Sequence, residues 1–128
     1  MKLEKYNFFC TNCKHQLDDK GTIHLKTERE NGDNGDMYLS TSFGTYSYKH
    51  KPEIAFLDNE LVNFYCPDCN SDLKSEKFPK FVKMIMRVEN NFEFEILFSR
   101  KAGMHKTYIV TEDGVESYGE HASDDNLI

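Results

Sequence analysis

The chain has 128 residues, with 16 Lys and Arg against 22 Asp and Glu, a formal net charge of −6 and four cysteines. The acid excess is even, with 10 basic and 13 acidic residues up to residue 77 and 6 and 9 after it, so neither part is a basic arm and nucleic acid is a disfavoured partner. No run approaches the roughly 18 consecutive apolar residues of a membrane span, and the start, "MKLEKYNFFC", carries Glu4 and no apolar stretch of a signal peptide.

In chain order, "YNFFCTNCKHQL" (Tyr6 to Leu17) reads as a short aromatic strand running into a Cys-x-x-Cys turn and a return anchored by Leu17. From Thr22 to Arg29 the pattern alternates, with Ile23, Leu25 and Thr27 on one face and His24, Lys26 and Glu28 on the other, which predicts a half-buried strand. "NGDNGD" then offers Asn-Gly twice, a strong hairpin signal. The return strand carries Met37, Leu39, Thr41 and Phe43 on one face. A calcium loop is excluded: with Gly35 at its sixth position, Thr41 stands where the bidentate Glu belongs. "SFGTYSYKHKPE" follows, with Phe43, Tyr46 and Tyr48 on a Gly/Ser/Thr-rich stretch. These aromatics either cover a metal site as a lid, pack into the core, or form an interaction surface. "EIAFLDNELVNFYC" predicts two short strands around an Asp58-Asn59 turn, the second delivering Cys66.

"VNFYCPDCNSDL" (Val62 to Leu73) then repeats the opening phrase. Two residues between cysteines let both sulfurs face one ion from a tight turn, and two such turns supply the four sulfurs of a tetrahedral site. Cys10, Cys13, Cys66 and Cys69 are therefore the predicted metal ligands, and the chain has no other cysteine. Closing the loop between the pairs removes about 4 kcal/mol of unfolded-chain entropy on the disulfide analogy, so metal binding and folding are expected to be coupled.

Beyond "SEKFPK", residues 81–88 are apolar with Lys83 and Arg87 interspersed, and "ENN" turns at Glu89 to Asn91. Phe92, Phe94, Ile96 and Phe98 then share a face opposite Glu93 and Glu95, predicting a strand with a wet back. His105 to Thr111 forms a further strand, and "TEDG" turns into "VESYGEH". An alternative for the region near 78–86 is one short helix. Residues 1–77 are thus read as a metal module with an insertion at 18–60, residues 78–121 as a β-meander packed on it within one structural domain, and 122–128 as a flexible tail. His15, His24, His50, His105 and His121 have no partner at metal-ligand spacing and are expected in solvent.

"CPDCNSDL" resembles the knuckle of the zinc ribbon, commonly Cys-Pro-x-Cys-Gly-x-x-Leu, and "CTNCKHQL" follows that pattern less closely. Both depart from it at the glycine, where Lys14 and Asn70 stand. The resemblance implies a rubredoxin-like knuckle pair holding one metal on four cysteines, as in small uncharacterised bacterial two-knuckle proteins, and says nothing about substrate. The expected fold class is mainly β, with a zinc-ribbon knuckle pair, a long β-hairpin insertion and an antiparallel meander. The expected function is a soluble, cytoplasmic zinc protein with a structural site and a protein partner. A closed four-sulfur site leaves no open position for catalysis, so no enzyme activity and no small-molecule substrate are expected. A rubredoxin-like iron electron carrier is the alternative, and a nucleic-acid-binding ribbon comes after it.

Overall fold

A computed structural model describes residues 6–41, 48–88, 92–102, 107–111 and 114–118. Phe43, Tyr46, the Glu89–Asn91 turn, His105, His121 and the 122–128 tail lie outside the described residues. Among the described residues the fold is all-β, with ten strands and no helix. They are β1 (Tyr6–Phe9), β2 (Asp18–Asp19), β3 (Thr22–Glu28), β4 (Asn34–Ser40), β5 (Tyr48–Lys51), β6 (Asn63–Tyr65), β7 (Phe81–Val88), β8 (Glu93–Ser99), β9 (Thr107–Thr111) and β10 (Gly114–Tyr118).

Two antiparallel five-stranded sheets result. One runs β2-β3-β4-β5, with β6 also paired to β3; the other runs β1-β7-β8-β9-β10. The strand leading into the first Cys-x-x-Cys turn therefore sits in the second sheet, with Phe8 opposite Met86. The strand leading into the second turn sits in the first sheet, with Phe64 opposite Thr27. One cluster of buried side chains draws on both sheets: Ile23, Leu25 and Met37 meet Val82, Met84, Met86, Ile96 and Ile109 around Phe8 and Phe64. Phe64 meets Phe98 edge to face at 5.5 Å. Burying each large apolar side chain of this kind contributes about 1.5–3 kcal/mol.

The predicted hairpin forms. Ile23, Leu25 and Thr27 are buried, and Leu25 stands opposite Met37. Its turn uses only the first Asn-Gly: Arg29 N donates to Asp33 O and Gly32 takes a φ of 93°. The second, Asn34-Gly35, lies within β4, where Gly35 opposes Thr27. A Cβ there would strike the His50 ring and lie 2.6 Å from Lys51 O. That room is taken by His50, which is buried rather than solvated, in contrast to the exposure expected of all five histidines. Its ring bonds Thr27 Oγ1 at 2.6 Å through Nε2 and Pro52 O at 2.7 Å through Nδ1, so the imidazole's polar atoms are satisfied inside the core.

Three further expectations need correction. Residues 81–88 form a strand, so the alternative helix near 78–86 does not form; burial falls on Val82, Met84 and Met86, a period of two. The back of β8 is not wholly wet: Leu97 is buried with Phe81 and Tyr108 in a second cluster, while Phe92 is exposed. Residues 53–57 form no strand. There the chain follows side-chain anchors instead. Phe56 sits between the His50 ring, 5.3 Å away, and the Arg29 guanidinium, 5.6 Å away. Glu60 Oε1 accepts from Leu57 N at 3.0 Å, tightening the Asp58-Asn59 turn.

The same Glu60 ties this linker to the hairpin turn through a two-point pair with Arg29, both contacts at 3.0 Å. On the other side Arg100 donates to Val62 O at 3.0 Å, to Pro79 O and to Asn63 Oδ1.

Two outcomes follow from these anchors. Gly35→Ala is expected to cost about 2 kcal/mol by overpacking against His50 and Lys51, read as a lower melting temperature; an unchanged melting temperature would show that the ring can move aside. The hydrogen bond from Arg29 holds the Glu60 carboxyl below its ordinary range. A folded-state value that is depressed stabilises the fold above the unfolded pKa of about 4.3 and is lost as pH falls through the folded value. Glu60→Gln is therefore expected to be less stable than wild type at pH 7, with the gap narrowing below about pH 4.3 in denaturant titrations; a gap constant with pH would contradict the pairing.

Candidate metal centre

Each Cys-x-x-Cys turn is built by the same four hydrogen bonds. In the first, Leu17 N donates to Phe8 O at 2.7 Å, Cys10 N to His15 O at 3.0 Å and Lys14 N to Cys10 O at 3.1 Å. In the second, Leu73 N donates to Phe64 O at 2.9 Å, Cys66 N to Ser71 O at 3.0 Å and Asn70 N to Cys66 O at 2.9 Å. Isolated bridges Phe9–Gln16 and Tyr65–Asp72 correspond likewise. Inside each turn a backbone N–H points at the first sulfur: Asn12 N to Cys10 Sγ at 3.3 Å and Asp68 N to Cys66 Sγ at 3.4 Å. The turns close through a left-handed residue, Lys14 at φ 65° and Asn70 at φ 61°. These are the two positions where the zinc-ribbon pattern carries glycine.

The two turns face each other, and all four sulfurs lie within 4.8 Å of one another. Cys10 and Cys69 sulfurs are 3.8 Å apart, and those of Cys13 and Cys66 are 3.7 Å apart. A tetrahedron with metal–sulfur bonds near 2.3 Å has edges of about 3.8 Å, so these spacings suit one ion and are far too long for disulfides. Cys10 and Cys66 are buried, Cys69 is half-buried and Cys13 is exposed. The site thus caps the core, with its deeper sulfurs sharing the cluster that holds Phe8, Phe64, Leu17 and Leu73.

Electrostatics differ between the sulfurs. Cys69 Sγ lies 2.8 Å from Ser71 Oγ and accepts from Asn12 Nδ2 at 3.6 Å. The Ser71 hydroxyl, helped by the Ser71 backbone, draws the Cys69 thiol down to about 5. Burial pushes the Cys66 thiol up to about 12. A coordinated dication overrides such differences, because a coordinating thiol is deprotonated outright.

No family model, curated protein or solved structure matches the chain.

The four cysteines are thus the one predicted group that converges, and among the described residues they are the only cluster of His, Cys, Asp and Glu placed to hold a metal. His15 has an exposed side chain and serves the site through its backbone, its carbonyl accepting from Cys10 N and its backbone hydrogen-bonding Cys13. His24 stacks on Tyr38 and bonds Asp36 at 2.8 Å. The Lys14 ammonium bonds Thr11 O at 3.2 Å instead of facing a sulfur. Tyr48, the described member of the aromatic stretch, is 46% exposed and tilts on Phe56 at 6.1 Å. Ser71 and Asn12 were not singled out from the sequence. The available signal was their place, two residues after a cysteine in each case, where a short polar side chain can reach sulfur.

Lys14 pays the ordinary cost of a left-handed side chain, roughly 1 kcal/mol, offset partly by the extra unfolded-state freedom of glycine. Lys14→Gly is expected to raise stability by about 0.5 kcal/mol and Asn70→Gly to be near neutral; thermal melts in which Lys14→Gly is clearly destabilised would show that the lysine contact outweighs the strain.

Proposed function

We propose that this chain is a zinc protein in which one ion on Cys10, Cys13, Cys66 and Cys69 serves structure, and that the folded β-surface serves as a protein-interaction module. The observation that carries the first part is the sulfur geometry: edges of 3.7 and 3.8 Å between the two turns, with backbone N–H groups aimed at Cys10 and Cys66. Four thiolates fill a tetrahedral zinc shell and leave no position for water or substrate, which favours a structural role over catalysis. Zinc is preferred to iron because it is the usual occupant of such closed sites and has no redox chemistry to manage.

The interaction reading leans on Tyr48, exposed at the start of β5, and on the neighbouring aromatics Phe43 and Tyr46 in the sequence. Its test is recovery of bound proteins by wild type and by a variant with Phe43, Tyr46 and Tyr48 changed to Ser; equal recovery removes this stretch from the proposal. Among the described residues no helix is long and apolar enough to cross a membrane.

Elemental analysis of protein produced with zinc and iron both available is expected to give one zinc per chain and colourless material. Red protein that bleaches on reduction would instead establish the iron electron carrier. Cys66→Ser is expected to lose the ion and at least about 4 kcal/mol of stability, the linkage for an ion at 1,000 times its dissociation constant. Stoichiometric metal with an unchanged melting temperature in that variant would refute the ligand assignment.

A further inference from the structure

The correspondence between the two turns extends through both sheets. In the β3–β4 ladder Leu25 opposes Met37 and Thr27 opposes Gly35; in the β7–β8 ladder Met84 opposes Ile96 and Met86 opposes Phe94. Every position is matched 59 residues on, 25 with 84 and 35 with 94. The next ladder keeps that spacing: Met37 opposes His50 in β4–β5, and Ile96 opposes Ile109 in β8–β9. The strands entering from across the molecule agree as well, Phe64 on Thr27 and Phe8 on Met86. So do the returns, Asp18 on Ile23 and Lys74 on Val82. The turns themselves are matched 56 residues apart, 10 with 66. The difference of three lies in the connection from the return to the sheet, residues 19–22 in one half and 75–81 in the other. The chain is therefore a tandem duplicate arranged about a pseudo-two-fold axis through the four sulfurs.

In this arrangement neither half is complete. Each supplies two sulfurs, and each gives its leading strand to the other's sheet. The pairing is also chemically selective. Tyr65 and Phe9 are equivalent positions, as are Glu28 and Arg87 on the strands they meet. Tyr65 donates its hydroxyl to Glu28 Oε1 at 3.1 Å, whereas the Phe9 ring lies 4.4 Å from the Arg87 guanidinium. A phenol is matched with a carboxylate and a bare ring with a cation, so the first half selects the second half over a copy of itself. The halves are joined covalently only through the segment from Pro52 to Val62, in which Glu53, Ala55, Leu57, Asp58 and Asn59 are exposed.

We propose that this half-to-half surface also fits a second copy of the chain, the first half of one molecule pairing with the second half of another in a strand-exchanged dimer whose ions are each shared between two chains. Exchange of identical elements needs no new contacts, only a linker that opens. The proposal rests on the metal reading above for its shared ions, and on strand register for its pairing.

The test uses two full-length variants, Cys10→Ser/Cys13→Ser and Cys66→Ser/Cys69→Ser, unfolded under reducing conditions and refolded with cobalt(II) alone and as an equal mixture. Within an exchanged pair, one site regains all four cysteines and the other has four serines. Neither variant alone should give the absorption of a four-thiolate cobalt site; the mixture should, at one ion per two chains and at twice the monomer mass on gel filtration. A mixture without that absorption, beside wild type that shows it, overturns the proposal. Wild type lacking the absorption would defeat the metal reading instead. Pairing is then decided by a chain with residues 53–57 removed: elution as a dimer supports exchange, and a monomer or an unfolded chain overturns it.

Discussion

Four sulfurs held within 4.8 Å of one another impose the constraint on which the rest of this structure turns. Thiolates at that spacing repel unless a cation lies between them, and burial alone already disfavours ionisation of Cys66. The fold meets this demand from two distant parts of the chain, each with a turn whose backbone N–H groups face inward. Because the sulfurs must converge, the strands that carry them must converge too. Both lead strands then lie close to the opposite half's sheet, which is where they pair. Strand exchange and metal geometry are two views of one requirement.

That arrangement distributes the core unevenly. Thr27, Gly35 and His50 occupy in the first sheet the places that Met86, Phe94 and Ile109 occupy in the second. An apolar side chain buried there contributes about 1.5–3 kcal/mol, whereas a satisfied hydrogen bond such as Thr27–His50 contributes about 0.5–1.5 kcal/mol net. The polar trio does something the apolar one cannot: through Pro52 O it fixes the direction in which the chain leaves β5. Phe56, Arg29 and Glu60 continue that path to β6. The first half thus gives up apolar burial for control of the linker.

The sequence made the turns legible because their chemistry is local. Cysteine spacing, the aromatic lead-in and the anchoring Leu17 and Leu73 all fall within twelve residues. The β3–β4 hairpin was legible for the same reason, since alternation and an Asn-Gly turn need no distant partner. What stayed hidden depends on contacts across the molecule. Nothing in "YNFF" says that β1 joins β7, and nothing near His50 says that Gly35 clears space for its ring. The burial of Leu97 arises from Phe81 and Tyr108, on two other strands. Reading residues 18–60 as an insertion was natural from one sequence, because its echo in β7–β9 is carried by register and not by residue identity.

Register can survive when identities do not, and the pleat explains why. A sheet tolerates Leu25 or Met84, Met37 or Ile96, at one position because each fills similar volume on the same face. A one-residue slip, by contrast, would turn every inward side chain outward. At this molecule's centre the tolerance is narrower still. A slipped β1 or β6 would carry its cysteines out of range of the opposite pair, so any ion held by all four sulfurs, with bonds near about 2.3 Å, would hold the ladders that flank it in place. Sulfur geometry therefore goes with a preserved register of both lead strands, while side-chain identity varies beside them and farther out, as Thr27 against Met86 and His50 against Ile109 show.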